Sequence, residues 1–343
     1  MIGAMNATPA PQPLISRREA LRLFGLVGVS AALVPALARA GSAESAPPAP
    51  PAPPAQLGLR QPGHYRFAIG AIEALALVDG GMTAKLAESP FGVGEPPEKV
   101  AAVLQESLLP ADLVRLPFGV LLVRLGGELV MVDAGCGALF GPVGGQLPAN
   151  LAAAGVPPDK ISAIVISHLH GDHFGGLLDQ TGSPAFKNAR LFLHRDEHAY
   201  WSASSPAGAR PDAVATVQKY LQAFAGKWQL VAGGDKILPG LEIVDAPGHT
   251  PGHMALLFSS GNEQLLHLVD VVHHHAISFA HPEWVMAYDV QAKRAIETRQ
   301  RILDRAAADR LRVFGAHLPF PPLGHVRRRG NAYEYLIEPW VSA

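Results

Sequence analysis

Residues 168–173 hold three histidines and one aspartate, within the stretch SHLHGDHFGG at 167–176. Imidazole and carboxylate suit zinc and its first-row neighbours, whereas a structural zinc site ordinarily draws on cysteine, of which the chain has one, Cys136. A metal held by His and Asp alone points to catalysis. If a strand ends at Ser167, His168 and His170 share a face, because alternate residues of an extended segment point the same way. Asp172 and His173 then enter the next turn, and Gly171, Gly175 and Gly176 let the backbone bend around them. One loop cannot complete two metal shells, so further donors are required from other strand ends. The chain offers His249 in APGHTPGH (246–253), Asp270 in LVDVV (268–272) and His317 in GAHLPFP (315–321).

Each of these donors closes an apolar run, the place where an α/β sheet presents its site residues. Short runs rich in Val, Ile and Leu recur at 71–79, 119–135, 161–168, 189–194, 241–249, 265–270 and 311–317, bounded by Gly, Pro or Asp, which predicts strands. Helical patterning falls at 98–107, 138–155 with an interruption, 212–226 and 289–309. Early hairpins followed by strands alternating with helices predict a mixed sheet covered by helices, an α/β class.

The 343 residues are 48% apolar and 17% charged, enough to bury a large core. The N-terminus is set apart. Arg17 and Arg18 precede a nearly uncharged run at 23–38 and a small-x-small cleavage pattern at Ala38-Arg39-Ala40, which together resemble a twin-arginine export signal occupying 1–40. The protein is therefore expected in the periplasm or secreted. Residues 41–62 are an Ala/Pro-rich linker, and 63–343 read as one hydrolase domain. Without residues 1–40 the count is 24 basic (28 less four Arg) against 28 acidic (29 less one Glu), a net of −4. That excludes a basic field for nucleic acid, and no stable membrane insertion is expected once the signal is removed. The expected partner is a small-molecule substrate, and a homodimer is allowed.

The motif at His168, His170, Asp172 and His173, followed by His249, Asp270 and His317, resembles the metallo-β-lactamase superfamily over essentially all of 64–343. The resemblance implies a four-layer αββα sandwich in a single domain and two divalent metal ions, zinc first, with manganese, cobalt or iron as alternatives. It implies His168, His170 and His249 on one metal, Asp172, His173 and His317 on the other, and Asp270 bridging, with Asp172 and Asp270 as the catalytic carboxylates. It also implies hydrolysis by a hydroxide bridging the metals.

Within the superfamily, the stretches GHYR (63–66), VDAGCGALFGP (132–142), GHTPGH (248–253) and AHLPFPPLGHV (316–326) resemble the methyl parathion hydrolase branch. That branch implies lactones, aryl esters or aryl phosphotriesters as substrates. An N-acyl-homoserine lactonase with the same donors is the alternative. A metal-bound scaffold without turnover is the non-enzyme alternative, disfavoured because all seven donor positions are filled. The resemblance puts Phe140 and Trp201 in the substrate pocket. His273, in DVVHHH (270–275), puts a polar group on the pocket rim where the branch is expected to be apolar, which suits a carbonyl substrate better than a thiophosphate. His253, Asp79 and Asp133 are expected to orient ligands or cap turns.

Overall fold

A computed structural model describes residues 63–340 and the two-residue strand β1 (Leu14–Ile15). The segments expected to be an export signal (1–40) and a linker (41–62) otherwise lie outside the described residues. Among the described residues, no helix is long and apolar enough to cross a membrane.

The strands are β2 (His64–Ile69), β3 (Ile72–Lys85), β4 (Leu113–Leu125), β5 (Glu128–Val132), β6 (Ile161–Ile166), β7 (Arg190–His194), β8 (Trp228–Val231), β9 (Lys236–Leu238), β10 (Leu241–Asp245), β11 (Met254–Ser260), β12 (Glu263–His267), β13 (Arg312–Phe314), β14 (Leu323–Arg329) and β15 (Ala332–Ile337). They form two sheets. One runs β1-β3-β4-β5-β6-β7-β8, with β2 also paired to β3, and the other runs β15-β14-β13-β12-β11-β10-β9. Helices α1 (Pro97–Glu106), α2 (Leu147–Ala153), α3 (Gly171–Phe174), α4 (Arg195–Ser202), α5 (Pro211–Ala223), α6 (Ile277–Ala280) and α7 (Ala292–Ala308) cover the outer faces or close loops.

The apolar runs lack alternation because both faces of the central strands are buried. In β6, Ile164 and Ile166 pack toward Leu147, Leu151, Val217 and Leu221 on the helices. The intervening Ala163 and Val165 pack toward Ile243, Leu256 and Phe258 of the second sheet. On the far side, Ile302, Leu303 and Ala306 of α7 pack against Val244, Ala255, Leu257 and Leu266. Helix, sheet, sheet and helix are thus stacked in four layers. Burying one such Leu or Ile side chain contributes about 1.5–3 kcal/mol, so three stacked cores hold the strand ends in fixed relation.

The expected helices fall at α1, the pair formed by a short turn and α2, α5 and α7. Helix α4 and the β14–β15 hairpin carry no expectation from the apolar runs. The glycines after the histidine motif act differently from the expected bend. Gly175 is helical (φ −56°), and a Cβ there would meet the Cys136 carbonyl oxygen at 2.1 Å, while one at Gly176 would meet that of Ala134 at 2.0 Å. These residues are small because α3 is pressed onto the loop that follows β5.

Candidate metal centre

Strand β6 ends at Ile166, and His170 has an extended backbone (φ −91°, ψ 148°) directly before α3 begins. The His168 and His170 rings therefore emerge on the same side, with centroids 4.7 Å apart. Asp172 and His173 lie in the first turn of α3. His249 sits in the turn between β10 and β11, Asp270 in the short turn after β12, and His317 after β13. Val269, a β-branched residue, takes φ 49° directly before Asp270, a conformation that stores of order 1–3 kcal/mol and is held here by full burial.

All seven residues predicted from sequence converge. Donor atoms of His168, His170, His249 and Asp270 lie within 4.8 Å of one another, and so do those of Asp172, His173 and His317. The Asp270 carboxylate stands between the two groups. Its Oδ2 is 3.2 Å from His249 Nε2 and 3.7 Å from His168 Nε2, and its Oδ1 is 3.4 Å from His173 Nε2 and 3.3 Å from His317 Nε2.

The outward nitrogens of four rings are tied down, and His170 Nδ1 lies 2.8 Å from His249 Nε2. His173 Nδ1 donates to Asp133 Oδ2 at 2.8 Å, His249 Nδ1 to Asp289 Oδ1 at 2.9 Å, and His317 Nδ1 to the Pro117 carbonyl at 2.8 Å. His168 Nδ1 lies 3.1 Å from Ser167 Oγ, which itself donates to Asp133. Five inward atoms are left over. His168 Nε2, His173 Nε2, Asp270 Oδ1 and both oxygens of Asp172 are buried with no hydrogen-bond partner. Leaving a buried polar group unsatisfied costs about 1–3 kcal/mol, so five such atoms within the two donor groups form a site that divalent cations would satisfy. The donor set, imidazole and carboxylate without thiolate, fits zinc and its neighbours.

The electrostatics divide the donors, with His168 and His170 held low by burial, while at His173, His249 and His317 burial is outweighed by the nearby carboxylates, which raise them. Burial holds His168 and His170 well below the ordinary histidine range, with His173 and His249 nearby reinforcing it, so both are neutral and able to ligate. Burial alone would push Asp270 up, but the surrounding imidazoles, His173 and His317 foremost, hold it well below the usual carboxylate range. His249 rises to about 9: burial lowers it, and its hydrogen bonds to Asp270 and Asp289 outweigh that.

The supporting residues expected from sequence act as ligand orienters and turn caps. Asp133 holds His173 and also accepts from Ser167 N at 2.7 Å. Asp79 accepts from the backbone N–H groups of Cys136, Gly145 and Leu147, closing the loop before α2. His253, lowered to about 3 by burial, is neutral; its Nδ1 donates to the Ala246 carbonyl and its Nε2 accepts from Asp270 N at 3.2 Å.

The three pocket residues are placed differently from the expectation. Phe140 is fully buried, edge-on to Phe118, whose ring is in turn edge-on to His317. Trp201 is 2% exposed, edge-on to His170 at 6.4 Å, with its N–H bound to Glu197. Both rings thus stand behind the donors, because the motif loops need apolar backing. His273 is no solvated rim. It is 2% exposed, its Nε2 lies 3.1 Å from Asp270 Oδ2, and its ring stacks parallel on His317 at 5.4 Å. With Asp270 and His317 it makes a third cluster of donors.

A cavity of about 380 Å³ opens beside His317, walled by Met82, Leu116, Pro117, His274 and Phe320. A larger one of about 660 Å³, bordered by Arg66, Glu73, Arg124 and Lys160, lies on the first sheet and touches none of the donors.

Sequence reasoning missed Asp289 and Glu197. Asp289 is held by Arg299, a buried guanidinium that also donates to the carbonyls of Val271, Pro282 and Trp284. Glu197 is fully buried and accepts from Leu169, Trp201, Thr250 and Gly252.

Comparison with known proteins agrees with this geometry. A family model described as "Metallo-beta-lactamase superfamily" matches residues 120–317. An N-acyl homoserine lactonase from Bacillus sp. is 27% identical over 179 residues, 46% of this chain and 64% of that protein. The N-acyl homoserine lactonase AiiB of Agrobacterium fabrum is 27% identical over 178 residues, 44% of this chain and 61% of that protein. The chain thus spans less than two thirds of the length of these curated relatives. Among solved structures, AidC, a dizinc quorum-quenching lactonase in complex with a product, is 28% identical with a TM-score of 0.77, covering 82% of this chain and 99% of that one. Hydrolase AbOPH is also 28% identical, with a TM-score of 0.75 and coverage of 82% and 100%. With the donors converging in the family's order and the family model spanning more than half of the 343 residues, the chain belongs to the metallo-β-lactamase superfamily.

Proposed function

We propose that the protein is a metal-dependent hydrolase that opens lactones, with N-acyl homoserine lactones as the leading substrate class. One observation carries the chemistry: the Asp270 carboxylate lies between two groups of buried donors, and its Oδ1, His168 Nε2, His173 Nε2 and both oxygens of Asp172 have no hydrogen-bond partner. The similarity to AidC and to the curated lactonases supports the substrate class.

His168, His170 and His249 would hold one cation, Asp172, His173 and His317 the other, and Asp270 both. Zinc is the metal supported by the likeness to a dizinc protein. Two such cations, when bound, supply an activated water with its pKa lowered toward about 7 and a Lewis acid for the substrate's oxygen. The chain's own part is to place and exclude. Asp133, Asp289 and the Pro117 carbonyl hold their imidazoles in one orientation. Burial of every donor keeps bulk water away and strengthens attraction for an oxygen that gains charge. His273, a neutral imidazole lowered to about 4 by burial, stands at the edge of the centre as a polar neighbour for a carbonyl substrate. The cavity beside His317, walled largely by apolar side chains, suits the apolar part of such a substrate.

A second reading, hydrolysis of aryl esters or aryl phosphotriesters, rests on the unusual stretch AHLPFPPLGHV at 316–326. Metal-replete protein assayed against an acyl-homoserine lactone, dihydrocoumarin, phenyl acetate and methyl paraoxon separates the two. The lactones are expected to turn over fastest. Preference for methyl paraoxon would replace the first reading with the second, and inactivity on all four would remove both. Export by the twin-arginine pattern at Arg17 and Arg18 is part of the same proposal.

A further inference from the structure

The two loops that carry His168, His170 and His249 come from opposite sheets, and something must hold them in register. Leu169 sits between the first two histidines, and Thr250 follows the third. Both bind the same side chain. Glu197 Oε1 accepts from Leu169 N at 2.8 Å and from Trp201 Nε1 at 2.7 Å, while Oε2 accepts from Thr250 Oγ1 at 2.6 Å and Gly252 N at 3.0 Å. The side chain is fully buried.

The backbone is built for this contact. A Cβ on Gly252 would lie 2.1 Å from Glu197 N, so α4 rests directly on the turn that carries His249. Trp201, one turn further along α4, packs its ring against His170. A carboxylate is the one side chain of this size that accepts at both ends. Glutamine would turn an N–H₂ toward either Leu169 N and the indole N–H or Thr250 and Gly252 N, and in each case a backbone donor loses its partner.

We propose that Glu197 is a positioning residue, which clamps the His168/His170 loop to the His249 loop so that three imidazoles keep the spacing one cation requires. The inference rests on the reading that these histidines hold a metal. Its consequence is local: the four hydrogen bonds of Glu197 go to Leu169, Trp201, Thr250 and Gly252, and none to Asp172, His173 or His317, so one of the two metal affinities depends on it more than the other.

The test is stepwise zinc binding by chelator competition, on apo protein, for the unaltered chain, Glu197→Gln, Thr250→Val and Val217→Ala. Val217 is a buried residue of α5, distant in sequence from every donor, and reports the effect of lost stability alone. One of the two affinities is expected to fall about 10–100-fold in Glu197→Gln and several-fold in Thr250→Val, with the other changed less and both unaltered in Val217→Ala. Should Glu197→Gln fail to fold, Thr250→Val decides, since it keeps the carboxylate and three of its four donors. Wild-type affinities at both sites in the folded variants, with only the melting temperature lowered, would overturn the clamp. An unaltered chain that binds no metal would overturn the metal reading itself, and the clamp with it.

Discussion

His249 Nδ1 donates to Asp289 Oδ1 at 2.9 Å, and the other oxygen of Asp289 is bound by Arg299 at 3.1 Å. This chain of contacts runs from a buried arginine to the edge of the centre and leaves only Nε2 of His249 facing inward. Asp289→Asn keeps the shape but replaces the charged acceptor. It is expected to weaken metal binding about 10–100-fold, read by zinc titration, with the fold intact by circular dichroism. Unchanged affinity would show that the Asp289 charge does not act on His249.

Among the described residues, Asp270 is the donor placed between the two groups, so its charge is expected to be indispensable. Asp270→Asn should reduce lactone hydrolysis by at least 1000-fold, on the order of the 4 kcal/mol that one dominant electrostatic contact can supply, while circular dichroism stays as in the unaltered chain. His317→Ala is expected to do the same. Retained turnover in either variant contradicts a two-metal centre.

His273 separates the substrate readings. Replacing it by leucine removes a polar group from the edge of the centre and leaves its volume. The ratio of kcat/KM for a lactone over methyl paraoxon is expected to fall, by roughly tenfold for a lost contact of about 1.4 kcal/mol. A ratio that stays constant would remove His273 from substrate recognition.

Much of the site was legible because ligation constrains both residue type and position. The seven donors follow the ends of four strands, β6, β10, β12 and β13, and strand ends can be located from apolar runs even where the strand limits are off by a few residues. The positions of Phe140, Trp201 and His273 were harder to read. Aromatic rings near a motif look alike whether they face a cavity or back a ligand, and three successive histidines look like a wet loop until the short turn at Val269–Val271 folds His273 under. Glu197 lies in the polar helix RDEHAYWS, where one buried carboxylate cannot be told from its exposed neighbours without knowing which face packs. The β14–β15 hairpin was readable in principle, since Gly330-Asn331 sits between two strands, with Gly330 at φ 61°. The arginines of β14 mask its alternation.

Export is testable separately from catalysis. Replacing Arg17 and Arg18 by lysine is expected to trap the protein in the cytoplasm of a bacterial host, read by fractionation, with the activity of purified protein unchanged. Equal distribution of both forms would discard the signal reading.

The central claim is a two-metal lactone hydrolase, and the most direct measurement is zinc titration into chelated protein while hydrolysis of an acyl-homoserine lactone is followed by proton release. Activity is expected to be absent without metal and to saturate at two equivalents per chain. Turnover in the chelated protein, or full activity at one equivalent, would contradict the account.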